Sequence, residues 1–335
     1  MLKTIWAVSE RGAVGMQSQA LGLAEALFAG GGFLPPRAIE AGFRRAYTLV
    51  PSYPRFATLK ALSPDVAGEF VAPWPDVLIT CGRKSALLAL AVKMASDGHT
   101  IIIHVQDPKA PARHWDLLVV PEHDRARGPN VLLSRGALHR VTRQKLETAA
   151  AALAPYLAGI PTPRLALLLG GNNRYFTLDE AWMTGFVRQL RQLVLETGAG
   201  VMATISRRTG VAETAMLRGG LASLPGTMLW DGEGPNPYFG FLGSADAIMV
   251  TCDSVSMISE ACATGKPVYV LRLPGKSKRF DAFFESLRLR GLIRWFDGRL
   301  VFWENDRLDD MDHIAQQVRN RLGWPPSGVH EPGTT

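Results

Sequence analysis

Cysteine is nearly absent from this chain: Cys81, Cys252 and Cys262 are the only three in 335 residues. They stand too far apart for a disulfide framework, and no histidine completes a zinc spacing around them. The chain therefore reads as a cytoplasmic protein of a reducing compartment, with no metal site. Apolar runs stop at strand length, which excludes a membrane-spanning helix. The opening Met1-Leu2-Lys3-Thr4 run turns polar too soon for a secretory signal. Two catalytic signatures are also missing, the Gly-x-Ser-x-Gly elbow and the phosphate-loop lysine pattern.

Acid is the scarcer charge. Lys and Arg total 37 against 30 Asp and Glu, a formal net charge of +7. Some surface is basic and suits a nucleotide diphosphate, an anionic membrane face or nucleic acid. The basic residues are scattered rather than interleaved with aromatics, and no nucleic-acid motif accompanies them, which argues against nucleic acid. The densest cluster, Lys276-Ser277-Lys278-Arg279, is a candidate contact for phosphate or for an anionic membrane. Membrane contact there would make the protein peripheral at the inner membrane face.

What the chain does have is alternation. Strand-length apolar runs at 4–8, 77–80, 101–105 and 117–120 are each followed by polar turns, the second of them 81–85, with helical patterns near 17–29, 86–94 and 144–157. Gly159-Ile-Pro161-Thr-Pro163 breaks the last helix, and the pattern then restarts. Strands are expected at 164–169, 201–205, 247–250 and 268–271, with helices near 178–197, 211–222 and 309–322. A short helix is expected after Asn236-Pro237. This predicts an α/β protein of two Rossmann-like domains, 1–158 and 159–323, followed by a disordered tail, 324–335. In such parallel sheets ligands sit outside the carboxyl ends of the strands, where the unusual residues of this chain fall.

The richest of those ends is Thr251-Cys252-Asp253-Ser254-Val255-Ser256-Met257-Ile258-Ser259-Glu260, read as strand, polar turn and helix start. Free amides and the macrodipole at a helix start favour an anion. Helical spacing puts Ser256, Ser259 and Glu260 on one arc and Val255, Met257, Ile258, Ala261 and Cys262 on the other. A diphosphate at the turn and a ribose on Glu260 would suit that arc; an Asp/Ser-capped helix with a solvated Glu260 fits equally well. Gly170-Gly171-Asn172-Asn173-Arg174 reads as an amide nest with a cation or as a flexible turn. Ser206-Arg207-Arg208-Thr209 reads as a phosphate grip or as a solvated basic turn.

In the first half, Gly12-Ala-Val-Gly15 is too thin for a dinucleotide fingerprint but allows a ligand near the backbone. His104-Val-Gln106-Asp107 and Pro121-Glu122-His123-Asp124 end strands and carry groups able to act as general bases. A structural histidine is the competing reading. Asp309-Asp310-Met-Asp312 mimics a metal pattern, but acids belong at a helix start for dipole reasons.

Six segments occur in order: Gln17-Ser-Gln-Ala-Leu-Gly-Leu-Ala-Glu-Ala-Leu27, Gln106-Asp-Pro108, Pro121-Glu-His-Asp124, Ser206-Arg-Arg-Thr209, Asn236-Pro-Tyr238 and the run from Thr251 to Pro267. Together they resemble the "elongated mitochondria" family of mitochondrial fission proteins, over nearly the whole chain. The plant member of that family is regarded as a factor that brings a dynamin-related GTPase to the mitochondrial surface. The family is in turn similar to GT-B glycosyltransferases, whose two Rossmann-like domains face each other across a cleft. Those enzymes bind nucleotide sugar through a Ser/Thr-rich turn and a helix glutamate followed by Ala-x-x-Gly-x-Pro.

Here Ser254, Ser256, Glu260, Gly265 and Pro267 fall on that pattern, and with the loop readings above the expected donor site comprises Gly170, Asn173, Arg174, Arg207, Arg208, Asp253, Ser254, Val255, Ser256 and Glu260. Within it, Ser254 and Ser256 face the diphosphate and Glu260 the ribose. Gly12, Gly15 and Met16 form the acceptor-side loop, which lacks the histidine that some relatives place there. The base is drawn from Asp107, His123 and Glu10. The implied activity is metal-independent transfer from a nucleotide sugar, with no further cofactor, to an acceptor of cell-envelope type. A recruiting scaffold and a nucleotide-sugar epimerase or hydrolase are the alternatives.

Overall fold

Interior strands of this chain are apolar at almost every position, a pattern stable only where helices cover both faces of a sheet. The computed structural model, which describes residues 2–48, 50–51, 53–308 and 310–325, has two such sheets, each with six strands. The chain divides into two units, residues 1–140 with 309–335 and residues 141–308.

The first unit holds β1 (Ile5–Glu10), β2 (Arg37–Ala41), β3 (Val77–Cys81), β4 (Ile101–Val105), β5 (Leu117–Pro121) and β6 (Val131–Ser134). Their order is β2-β1-β3-β4-β5-β6, all parallel. Side chains alternate between faces: Ile5 and Ala7 join the helix Val14–Ala29, while Trp6 and Val8 join Leu62, Val66 and Phe70.

The second unit holds β7 (Arg164–Leu169), β8 (Gly200–Ile205), β9 (Thr227–Trp230), β10 (Ala247–Thr251), β11 (Val268–Leu271) and β12 (Arg294–Trp295). These are also parallel, in the order β9-β8-β7-β10-β11-β12. That is the doubly wound dinucleotide-fold order, which reverses direction between β7 and β10.

The structure moves both ends of the expected second domain. The expected boundary at 158/159 falls inside the second unit. The helix Arg143–Leu153 lies against the helix Tyr238–Ser244, and the Gly/Pro break is a turn within that unit. An ideal Cβ on Gly243 would sit 2.5 Å from the Leu146 carbonyl oxygen and 3.0 Å from the Ala150 Cβ, so this approach needs small residues on both helices. The alanine run of the first helix thus has a packing role.

At the other end, the helix Met311–Arg321 belongs to the first unit, not to the expected 159–323 domain. Ile314, Ala315 and Val318 bury into the core with the helix Val14–Ala29. Arg319, 1% exposed, donates to the carbonyls of Leu27 (2.5 Å) and Gly31 (2.7 Å), which the end of that helix leaves unpaired. Asp310 accepts from the Arg135 and Gly136 amides and from the Arg135 guanidinium, so it is a structural anchor rather than part of a metal pattern. Trp324 packs edge-on against Phe33. The rest of the tail expected to be disordered, 326–335, lies outside the described residues.

Gly243→Val should lower stability by about 1–3 kcal/mol, read as a fall in the urea midpoint, since overpacking displaces backbone. An unchanged midpoint would show that the two helices can part without cost.

Candidate functional site at the switch point of the second sheet

β7 and β10 pair side by side, and the chain leaves their carboxyl ends in opposite directions, which is where open α/β sheets place ligands. The loops there are tightly cross-linked. Asp253, whose side chain is wholly buried, accepts the Gly171 amide (3.1 Å) and pairs with the Arg208 guanidinium (2.7 Å). Thr251 Oγ1 accepts the Gly170 amide at 2.8 Å, and Thr209 Oγ1 donates to the Gly170 carbonyl. Asn173 donates to the Asp253 carbonyl (2.9 Å) and accepts the amides of Tyr175 and Phe176. A Cβ on Gly170 would fall 2.1 Å from Asp253 Oδ1, and one on Gly171 2.0 Å from the Arg208 carbonyl oxygen. Only glycine lets three strand ends approach this closely.

Several expectations are redrawn by this geometry. The Gly170–Arg174 loop is neither a flexible turn nor an open nest, because the amides of Gly170 and Gly171 already serve Thr251 and Asp253. Arg208 is half-exposed but tied to Asp253, whereas Arg207 and Arg174 are exposed at the same edge, the latter stacked over the Tyr175 ring at 4.7 Å. In the helix Val255–Cys262, Ser254 is the N-cap and accepts the Met257 amide at 3.3 Å. The amides of Val255 and Ser256 lead this helix at a half-exposed surface.

Ser259 does not share a presented arc with Ser256. It is fully buried, with its hydroxyl donated to the Val255 carbonyl at 2.9 Å. Glu260 is not solvated either: it is 7% exposed, and its Oε2 accepts the Tyr238 hydroxyl at 2.6 Å. Tyr238 is the site residue that residue-by-residue reading passed over, although Asn236-Pro-Tyr238 marked its place at a helix start.

The carboxyl edge of the first sheet gathers the acceptor-side candidates. Glu10 ends β1 and caps the helix Arg83–Ala95 by accepting the Lys84 amide at 2.8 Å. Gly12 has φ 75° and is exposed; Gly15 and Met16 follow at the start of the helix Val14–Ala29, with the Gly15 carbonyl accepting Gln19 Nε2 at 3.0 Å. Asp107, beyond β4, accepts the Lys109 amide (2.8 Å) and pairs with its ammonium (2.6 Å). His123 is half-buried beyond β5.

His104 is fully buried, its Nδ1 2.8 Å from Thr80 Oγ1, and burial pushes its pKa down to about 3. It is a neutral core histidine. Among the described residues no group of three His, Cys, Asp or Glu could hold a metal, and no helix is long and apolar enough to cross a membrane.

The sequence profile described as Mitochondrial fission ELM1 matches residues 14–322. The chain belongs to this family. It is 30% identical over 282 residues to the Mitochondrial fission protein ELM1 of Arabidopsis thaliana, an alignment covering 75% of this chain and 65% of that protein. The chain therefore spans less than two thirds of that relative's length.

Among solved structures it is similar to the UDP-GlcNAc 2-epimerase of Methanocaldococcus jannaschii, with TM-score 0.57 and 12% identity over 96% of this chain and all of the other. It is likewise similar to the glycotransferase of kitacinnamycin, with TM-score 0.50 and 15% identity over 96% and 94% of the two chains. At such identities the likeness shows the fold: this member of the family has the two Rossmann-like units of the GT-B class.

Asp253→Ala would leave the Gly171 amide without its acceptor and Arg208 without its counter-ion. Thermal unfolding should report a loss of about 1–3 kcal/mol; an unshifted curve would mean that the three loops hold without the carboxylate.

His104 has a folded pKa below its unfolded value of 6.5. Its contribution is thus present above pH 6.5 and lost as pH falls toward about 3. His104→Gln should flatten that acid limb in a melting-temperature series against pH, and an equally steep limb would reject the assignment.

Proposed function

We propose that the second unit binds a nucleoside diphosphate sugar at the β7/β10 switch point, and that the protein transfers the sugar to an acceptor without a metal. The observation that carries this reading is Glu260. A buried carboxylate on the helix that begins at the switch point is placed to accept from ribose hydroxyls, while the leading amides of that helix meet the diphosphate. Exposed Arg174 and Arg207 bring positive charge to the same edge. So do Lys276, Lys278 and Arg279, just beyond β11 at the start of the helix Lys278–Leu289. These cations stabilise negative charge building on a departing diphosphate.

The base that deprotonates the acceptor is drawn from Asp107 and His123, which follow adjacent strands of the first sheet, with Glu10 as the third candidate. The basic edge also suits an acceptor presented at an anionic membrane face, as a cell-envelope acceptor would be. The protein would then work in the cytoplasm, peripheral to that membrane.

Two other readings each rest on one observation. The name of the Arabidopsis relative favours a recruiting scaffold that binds no nucleotide. The fold shared with a UDP-GlcNAc 2-epimerase favours chemistry on the nucleotide sugar alone.

A thermal-shift screen with UDP, GDP, ADP, CMP, dTDP and their common sugars separates these readings. A ligand at one hundred times its Kd adds about 2.7 kcal/mol to the stability of the folded state. We expect a clear rise with one nucleotide, lost in Glu260→Ala; no rise at millimolar ligand would favour the scaffold. Consumption of the nucleotide sugar with no acceptor added would favour the epimerase or hydrolase.

A further inference from the structure

The contact between Tyr238 and Glu260 joins two segments 22 residues apart, and several bonds fix the helix that carries Tyr238. Tyr238 opens the helix Tyr238–Ser244, and its amide is accepted by Asn236 Oδ1 at 3.0 Å. The far end of that helix is clamped by Lys266, whose ammonium donates to the carbonyls of Leu242 (2.7 Å) and Gly243 (2.6 Å). Lys266 lies four residues past Cys262, the end of the helix that carries Glu260, and burial lowers its pKa to about 8. Packing of Gly243 on the helix Arg143–Leu153 fixes a third side. These contacts fix the backbone of the helix from which the phenol reaches Glu260.

Chemistry gives the contact a direction. A phenol donates one hydrogen bond, and an ionised carboxylate only accepts. Burial, and then the Glu260 charge, push the Tyr238 phenol well above its ordinary pKa, so it stays a donor across the physiological range. Donation to Oε2 sets the plane of the Glu260 carboxylate, which fixes where Oε1 points.

Resting on the donor-site reading above, we propose that Tyr238 is a positioning residue that orients the Glu260 carboxylate toward the ribose and so makes the site select a ribonucleotide over its deoxy analogue. Tyr238 itself need not touch the ligand. A site built to bond hydroxyls rejects a ligand that lacks them, because its polar group is then left unmatched.

The test compares UDP with 2′,3′-dideoxy-UDP by titration calorimetry on the full chain. A charge-assisted hydrogen bond is worth roughly tenfold or more in affinity. Wild type should prefer UDP by about that factor, and Glu260→Ala should abolish the preference. Tyr238→Phe should cut the preference several-fold while leaving dideoxy-UDP affinity unchanged, and should add nothing in the Glu260→Ala background.

A Tyr238→Phe loss shared equally by both ligands would mean general support of the fold and overturn the proposal. So would a full UDP preference retained in Tyr238→Phe when Glu260→Ala has lost it. If Glu260→Ala changes neither ligand, or wild type binds neither, the donor-site reading itself has failed. Should Tyr238→Phe not fold, Glu260→Asp keeps the charge and withdraws it one methylene from the phenol. The same loss of preference is expected there, and a retained preference overturns the proposal.

Discussion

Burying one carboxylate at the switch point organises the second unit. Asp253 has no exposed side-chain surface, so its charge must be met by protein groups. The Gly171 amide from the β7 end and the Arg208 guanidinium from the β8 end do this, and Asn173 closes the loop on the Asp253 backbone. Three strand ends are thereby drawn to one point. The pair is not wholly desolvated, since Arg208 reaches the surface, and that spares it most of the cost of a dry ion pair. Two glycines follow from the same constraint, because neither position has room for a Cβ.

This arrangement separates the groups that hold the loops together from those at the surface. Thr209, Thr251 and Asn173 bond the backbone of the neighbouring loops, Asp253 Oδ2 takes the Gly171 amide and Arg208 while its buried Oδ1 has no partner among the described residues, and Ser254 caps its own helix. What faces outward is a different set: the leading amides of the helix Val255–Cys262 and the exposed cations Arg174 and Arg207. Glu260 stands behind them, buried and aimed by Tyr238. A preorganised edge of this kind needs little rearrangement to meet an anion. In the first unit Glu10 caps a helix and Asp107 closes a turn with Lys109.

The last helix of the chain illustrates how far a sequence neighbour can be from a spatial one. Arg319 completes the carbonyl end of a helix nearly three hundred residues earlier, a bond between positions 292 apart. Its burial is tolerable because that helix end supplies unpaired carbonyls and a negative dipole, while the Phe33 ring lies 5.5 Å away. Such a return cannot be read from a local pattern, which sees only an amphipathic helix of ordinary length.

Eight strands were legible in the sequence, and they are the eight inside the two sheets: β1, β3, β4, β5, β7, β8, β10 and β11. Strands buried on both faces must be apolar throughout, and that run is visible without a structure. The four that were not legible, β2, β6, β9 and β12, are the four edges. Edges are short and half exposed, and they pair on one side only, so their composition resembles loop. The donor-side motif was likewise legible as a capped helix after a strand, along with the family it resembles.

Tertiary structure alone decided how each polar group is used. It tied Arg208 to Asp253 rather than leaving it free, and it buried Ser259 and brought Tyr238 onto Glu260. It also assigned residues 141–158 to the second unit and the last helix to the first. Sequence periodicity records which face of an element is covered. It carries no information about which distant carboxylate, carbonyl or phenol does the covering, because those partners are chosen by packing.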